Sequence, residues 1–182
     1  MKSLLAKIWK VLHLPKNIQI LIMRIFQDQF LIGTTGIIFN EKNQILLFNH
    51  TYRQHSWSLP GGYVKSGEHP GEGLEREIKE ESNLTVNADE QFKLRTDRDT
   101  GRIDVTYIGT FISGQFQKSH EVSQAGFFSF DRLPLLSKTQ LLLINEALDI
   151  KKRQAEARQA MASSSNESDD IFTRLARLFK KA

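Results

Sequence analysis

The sequence predicts an α/β fold with helical extensions at both ends. Three observations carry this. Short runs rich in β-branched and apolar residues recur between residues 31 and 130, separated by turn-forming clusters. A charged helical pattern interrupts them at 70–83, and a longer one follows at 138–161. Both ends carry apolar stripes at helical spacing flanked by Lys and Arg. With 182 residues, 40% hydrophobic and 25% charged, the chain can bury one core.

In order, Leu4, Leu5, Ile8, Trp9 and Leu12 form one helical stripe, which Pro15 ends. Residues 17–26 form a second apolar segment, read as helix. Its lead into the first strand, with Trp9 before it, favours packing on the core or on a second subunit. A strand is expected over Leu31–Phe39, a turn at 40–43, and a returning strand over Gln44–Asn49. Trp57–Leu59 reads as a short strand entering a Pro60-Gly61-Gly62 turn. The next helix starts near Pro70, which suits a first helical turn, and ends near Asn83. His69 is a poor N-cap, so that first turn is expected to fray. Gly73 inside the helix costs about 1 kcal/mol relative to Ala, which points to close packing against the sheet. Strands follow within Asn87–Thr96, over Ile103–Ile112 and over Gly126–Phe130, with turn chemistry at 97–101 and a polar loop at 113–120. Lys138 to about Met161 reads as a helix and Ser163–Ser168 as a linker. Ile171, Leu175, Leu178 and Phe179 form a last apolar stripe.

Composition excludes several classes. The absence of cysteine removes disulfides and thiolate metal sites, and it fits a reducing, cytoplasmic setting. No apolar run reaches the roughly 18–20 residues of a membrane span, and Lys7, Lys10 and His13 interrupt any signal-peptide core. The net charge of +4 hides an asymmetry. Residues 31–150 carry 12 basic and 16 acidic side chains, whereas residues 1–30 carry 5 and 1, and residues 151–182 carry 8 and 4. An acidic middle with basic ends speaks about partners rather than fold.

The chemistry concentrates in residues 62–84. On a helix, Glu77 and Glu81 are four apart and Glu80 is three from Glu77, so the three carboxylates share a face. Their mutual repulsion is removed by a hard divalent cation with oxygen ligands, unless the face is simply solvated. Gly61 and Gly62 let backbone approach a phosphate or ion, or form a plain turn.

Gly62, Glu68, Arg76, Glu77, Ile78, Glu80, Glu81 and Leu84 stand at the spacing G-x5-E-x7-R-E-U-x-E-E-x-G-U, with U apolar. This arrangement resembles the Nudix box of the Nudix hydrolases. Asn83 replaces the box glycine at a helix end, where Asn is the next most tolerant residue of a left-handed conformation. The resemblance covers about residues 31–150 and not the tails. It implies an α/β/α sandwich with a mixed sheet, and the domain spans that follow are 1–30 as an amphipathic helical extension, 31–161 as the Nudix hydrolase domain and 162–182 as linker and basic amphipathic segment.

The implied function is metal-dependent cleavage of the diphosphate linkage of a nucleoside diphosphate joined to another moiety. Mg²⁺ or Mn²⁺ falls to Glu77 and Glu81 first and Glu80 next, with a backbone carbonyl near Gly61–Gly62. Arg76 and Glu68 are expected to pair and hold the loop on the helix, and Glu121 is the candidate base or further ligand. Arg53, with Gly61 and Gly62, is the candidate for substrate binding. Tyr52, Trp57, Phe127 and Phe128 flank the expected cleft but suit a core better. The rivals are a nucleotide-sensing domain without catalysis and an RNA 5′-pyrophosphohydrolase. The isoprenoid diphosphate isomerases share the fold but use a Cys, which this chain lacks. Expected partners are a nucleotide-type small molecule, a homodimer mate, and an anionic membrane or protein reached through the basic tails, the stripe at 170–182 foremost. Nucleic acid is not expected.

Overall fold

A computed structural model describes residues 15–51 and 57–179, with side chains as far as Gln159 apart from Arg158. The expected stripe over residues 4–12 and the candidates Tyr52 and Arg53 lie outside the described residues.

Helix α1 (Lys16–Phe26) precedes β1 (Leu31–Phe39) and β2 (Ile45–His50), joined by the expected turn. Asn40 organises that turn by accepting the Lys42 and Gln44 N–H groups on its Oδ1. Then come β3 (Trp57–Ser58), β4 (Gly61–Tyr63), α2 (Pro70–Ser82), β5 (Thr85–Asp97), β6 (Arg102–Ser113), β7 (Val122–Phe128) and α3 (Lys138–Phe179). One mixed sheet forms, in the order β3-β2-β1-β6-β5, with β4 added to β1 and β7 to β2. β1 and β6 run parallel from Leu31↔Arg102 to Phe39↔Thr110, and the other pairs are antiparallel.

The two faces explain why β1 and β2 read as continuous apolar runs rather than alternating ones. Ile38, Leu46 and Phe48 point to one side, where Leu74 and Ile78 of α2 complete a core. Ile37, Phe39, Ile45 and Leu47 point to the other, where Ile144 and Ala147 of α3 cover them. The result is the expected α/β/α sandwich, with α2 and α3 on opposite faces.

Several elements differ from the sequence reading. Gly61–Tyr63 is a strand rather than a turn: it pairs with β1 through Gly33↔Tyr63, Thr34↔Gly62 and Thr35↔Gly61. Two glycines have low strand propensity, and tertiary pairing overrides it. β7 starts at Val122 rather than at Gly126 because its pairing with β2 extends to His50↔Val122. α3 continues through Ser163–Ser168 to Phe179 where a linker was expected. No Gly or Pro occurs within it, and Ser costs a helix only about 0.5 kcal/mol relative to Ala.

The first turn of α2 is capped, against expectation. The His69 N–H donates to Glu72 Oε2 at 2.8 Å, and His69 Nδ1 accepts the Gly71 N–H at 3.3 Å. This is the reciprocal logic of a capping box with an imidazole in the hydroxyl's place. At the other end Asn83 adopts φ 60°, ψ 11°, and its N–H returns to the Lys79 carbonyl at 2.9 Å.

Candidate active site

α2 lies with its charged side against β4 and the loop that follows it. Arg76 is the centre of this contact and uses all five of its N–H donors. Nε and Nη2 grip Glu68 at 2.9 and 2.7 Å, as a bidentate pair. Nη2 also donates to the Tyr63 carbonyl at 3.0 Å, and Nη1 to Glu77 at 2.8 Å and Glu80 at 3.1 Å. The expected Arg76–Glu68 pair is therefore present, and it ties loop to helix. Glu68 also accepts the Lys65 N–H at 2.6 Å. The Arg76 hydrogen bonds first, and that N–H second, hold its carboxyl down at about 2.

The same geometry moderates the expected carboxylate repulsion. Glu77 and Glu80 both face Arg76, and Lys65 Nζ stands 3.4 Å from Glu80. Glu81 follows Glu77 by one turn on the same helix face and is half-buried. Gly62 presses on this row: a Cβ there would meet Glu77 Cδ at 2.4 Å. Gly61 is as tightly placed, with a would-be Cβ 2.1 Å from the Thr34 carbonyl oxygen. Gly73 abuts not the sheet but the loop, where its would-be Cβ comes 2.9 Å from Glu68 Oε1. The missing side chain makes room for the Glu68–Arg76 pair. The sheet-facing glycine is its neighbour Gly71, with Ala88 and Tyr107 each 3.4 Å from a would-be Cβ.

Among the described residues, no three His, Asp or Glu side chains converge closely enough to hold a metal ion. The donor chemistry nonetheless fits a hard cation. Glu77 and Glu81 offer carboxylate oxygens four residues apart, beside glycine backbone that lets an ion approach. Glu80 is the more exposed of the row and shares its carboxylate with Arg76 and Lys65. Glu121 is exposed in the loop entering β7, where its carbonyl accepts the Thr51 N–H at 3.2 Å.

β4 also borders a cavity of about 420 Å³ between the sheet and the start of α3. Gly61, Gly62 and Tyr63 line it on one side, and Ser137, Gln140 and Glu146 on the other. Lys93, Arg95 and Arg102 bring three cations to it against the carboxylates of Asp104 and Glu146. Asp104 pairs with Arg95 at 3.1 Å and Arg102 at 2.9 Å, and Lys93 reaches Glu146 on α3 at 2.6 Å. Sequence reasoning missed these cations. Their signal is the two-residue spacing of Lys93 with Arg95 and of Arg102 with Asp104, which puts each pair on one strand face. Only the register Arg95↔Asp104 joins the two pairs. Among the described aromatics that flank the expected cleft, Trp57 packs on Phe128 at 4.9 Å and Phe127 on Phe111 at 5.1 Å, against the core as expected.

Comparison with known proteins agrees with this geometry. A family model described as the NUDIX domain matches residues 30–147. A protein of Bacillus subtilis strain 168 that carries the provisional name ADP-ribose pyrophosphatase YjhB is 37% identical over 112 residues, covering 56% of this chain and 51% of that protein. The ADP-ribose pyrophosphatase of Methanocaldococcus jannaschii is 31% identical over 112 residues, covering 58% of this chain and 66% of its own. The chain thus spans between half and two thirds of the length of these curated relatives. Among solved structures, an ADP-ribose pyrophosphatase from Streptococcus suis 89-1591 is similar with a TM-score of 0.56 and 31% identity, covering 65% of this chain and 92% of that one.

Proposed function

The chain belongs to the Nudix family, and from that premise we propose that it is a metal-dependent pyrophosphohydrolase that cleaves the diphosphate of a nucleoside diphosphate linked to another moiety, with ADP-ribose the first substrate to test. The observation that carries this is one strand with two faces to its function. β4 bears Gly62 against Glu77 and borders the cationic cavity with the same residues. A diphosphate lying along β4 would have carboxylates at hand on one side and a basic pocket for its attached group on the other.

Glu77 and Glu81 would hold Mg²⁺ or Mn²⁺, with Glu80 as the further candidate. Such an ion, when bound, neutralises phosphate oxygens and lowers the pKa of a water poised to attack phosphorus. The chain's own residues do the rest. Arg76 fixes the rotamer of Glu77 and locks the loop through Glu68, so the donor row is positioned before substrate arrives. Gly61 and Gly62 leave room for phosphate at the backbone. Arg95 and Arg102 have fork-shaped groups suited to an anionic or hydroxyl-rich substituent, with one charge in excess over their shared Asp104. Glu121, from the β7 loop, stays the candidate general base.

The substrate reading is supported by the names of the relatives above 30% identity. Purified protein should hydrolyse ADP-ribose or another nucleoside diphosphate conjugate with Mn²⁺ or Mg²⁺, and EDTA should stop it. Glu81→Gln keeps shape and removes charge, so kcat should fall by orders of magnitude with an unchanged circular dichroism spectrum. Tight nucleotide binding with no turnover at any metal concentration would instead make this a sensing domain.

A further inference from the structure

Helix α1 contributes no buried residue. Nine of the fifteen exposed large hydrophobic side chains among the described residues fall between Ile18 and Ile32. This excludes the expected packing of α1 on the described core. Scattered exposed hydrophobics are ordinary, but so many within fifteen consecutive residues mark an interaction surface.

Its chemistry is specific. At 100° per residue, Ile18, Leu21, Ile22, Ile25 and Phe26 share one side of α1, and Lys16, Asn17 and Arg24 the other. Leu21, Ile25 and Phe26 are 59%, 71% and 68% exposed. Ile20 and Met23 fall on the cationic side, where they line a hollow with Lys16, Arg24 and Gln29. Gln29 folds back on the helix end, its Nε2 donating to the Arg24 and Gln27 carbonyls at 3.3 and 3.1 Å. From Met1 to Gln27 the sequence holds five Lys or Arg and no Asp or Glu. A second copy would bring a strip of the same sign to this one.

We infer that α1 and the apolar entry to β1 form a docking surface for an anionic phospholipid membrane, with the apolar side of α1 lying among the headgroups and Lys16 and Arg24 pairing with lipid phosphate. The whole-chain charge pattern suits this orientation. The −4 of residues 31–150 is repelled by an anionic surface, so the basic end is the part that approaches it. Among the described residues no helix is long and apolar enough to cross a membrane, and α1 with its 11 residues would lie in the interface plane. This inference stands apart from the hydrolytic reading.

The test is sedimentation of the full chain with sucrose-loaded vesicles of phosphatidylglycerol and phosphatidylcholine, against phosphatidylcholine alone. Binding should require the anionic lipid and weaken at high salt. Leu21→Asp with Ile25→Asp, on a face that packs on nothing described, should weaken it about tenfold or more, with ADP-ribose turnover in solution unchanged. Vesicle binding that survives this double variant would overturn the assignment and pass it to another basic segment. So would a wild-type chain that ignores the vesicles but sediments as a dimer that the same variant splits, which would make a second copy the occupant.

Discussion

Gly62 and Glu77 share a space that cannot hold both a Cβ and a carboxyl. The atoms an alanine would strike at 62 are Glu77 Cδ at 2.4 Å and Cγ at 2.6 Å, the far end of a flexible side chain. Gly62→Ala should therefore cost little stability while displacing Glu77, and kcat should drop at least tenfold at near-constant Tm. Gly61→Ala differs, because its Cβ meets backbone at Thr34. That strand must shift, and urea denaturation should show a loss of roughly 1–3 kcal/mol. Glu68 allows a pH prediction. Its folded pKa of about 2 lies below the ordinary 4.5, so its pairing stabilises the native state fully above pH 4.5. That contribution fades as pH falls from 4.5 towards 2. The stability gap between wild type and Glu68→Gln, measured by urea titration, should be constant near neutrality and close across that window. A gap that instead widened in acid would contradict the pairing. The Arg76–Glu68 pair was legible because its members belong to one short motif, on α2 and the loop before it. The cations of the cavity were not, because Lys93, Arg95 and Arg102 meet only through strand register.

The elements themselves were legible where local signals are strong. β1 ends at Phe39 because the Asn40–Asn43 turn, with Asn43 at φ 54°, follows a continuous apolar run. α2 ends at a left-handed Asn83 as its chemistry allows. β4 was hidden because its glycines read as a turn, and the His69 cap because imidazole is a rare acceptor at that position. α3 meets the sheet through its first turns. Ile144 and Ala147 are buried, Lys151 sits 3.8 Å over the Phe39 ring, and Gln154 reaches Glu90 at 3.2 Å. From Lys152 to Glu156 the side chains are exposed. Among the described side chains, contacts of α3 with the sheet run from its start to Gln154. Deleting residues 163–182 should leave ADP-ribose turnover within about twofold of wild type and change Tm little, since the cavity and the carboxylate row are built from residues before Gln154. A collapse of activity on truncation would mean that the end of α3 reaches the site.

At the scale of the molecule, charge is unevenly spread: an acidic stretch over 31–150, three cations gathered at one cavity within it, and basic ends. The acidic excess raises the question of how much the apo fold suffers from it. Glu77 and Glu80 are already neutralised in part by Arg76 and Lys65, which relieves some of the repulsion before any metal binds. Ligand linkage still requires that any ion bound only by the native state stabilise it, by about 2.7 kcal/mol at a hundredfold excess over Kd. For a domain of this size each kcal/mol moves Tm by roughly 2–4 °C. Saturating Mn²⁺ should thus raise Tm by several degrees, reversibly with EDTA. The rise should vanish in Glu77→Gln with Glu81→Gln. Arg76→Ala should do the opposite. Leaving Glu68, Glu77 and Glu80 without their common cation should lower the metal-free Tm and enlarge the Mn²⁺ response, since the ion then relieves repulsion that Arg76 relieves in the wild type. Scanning fluorimetry across the three proteins measures all of this at once. A wild-type Tm indifferent to millimolar Mn²⁺ would remove Glu77 and Glu81 as a metal pair, whatever the chain hydrolyses.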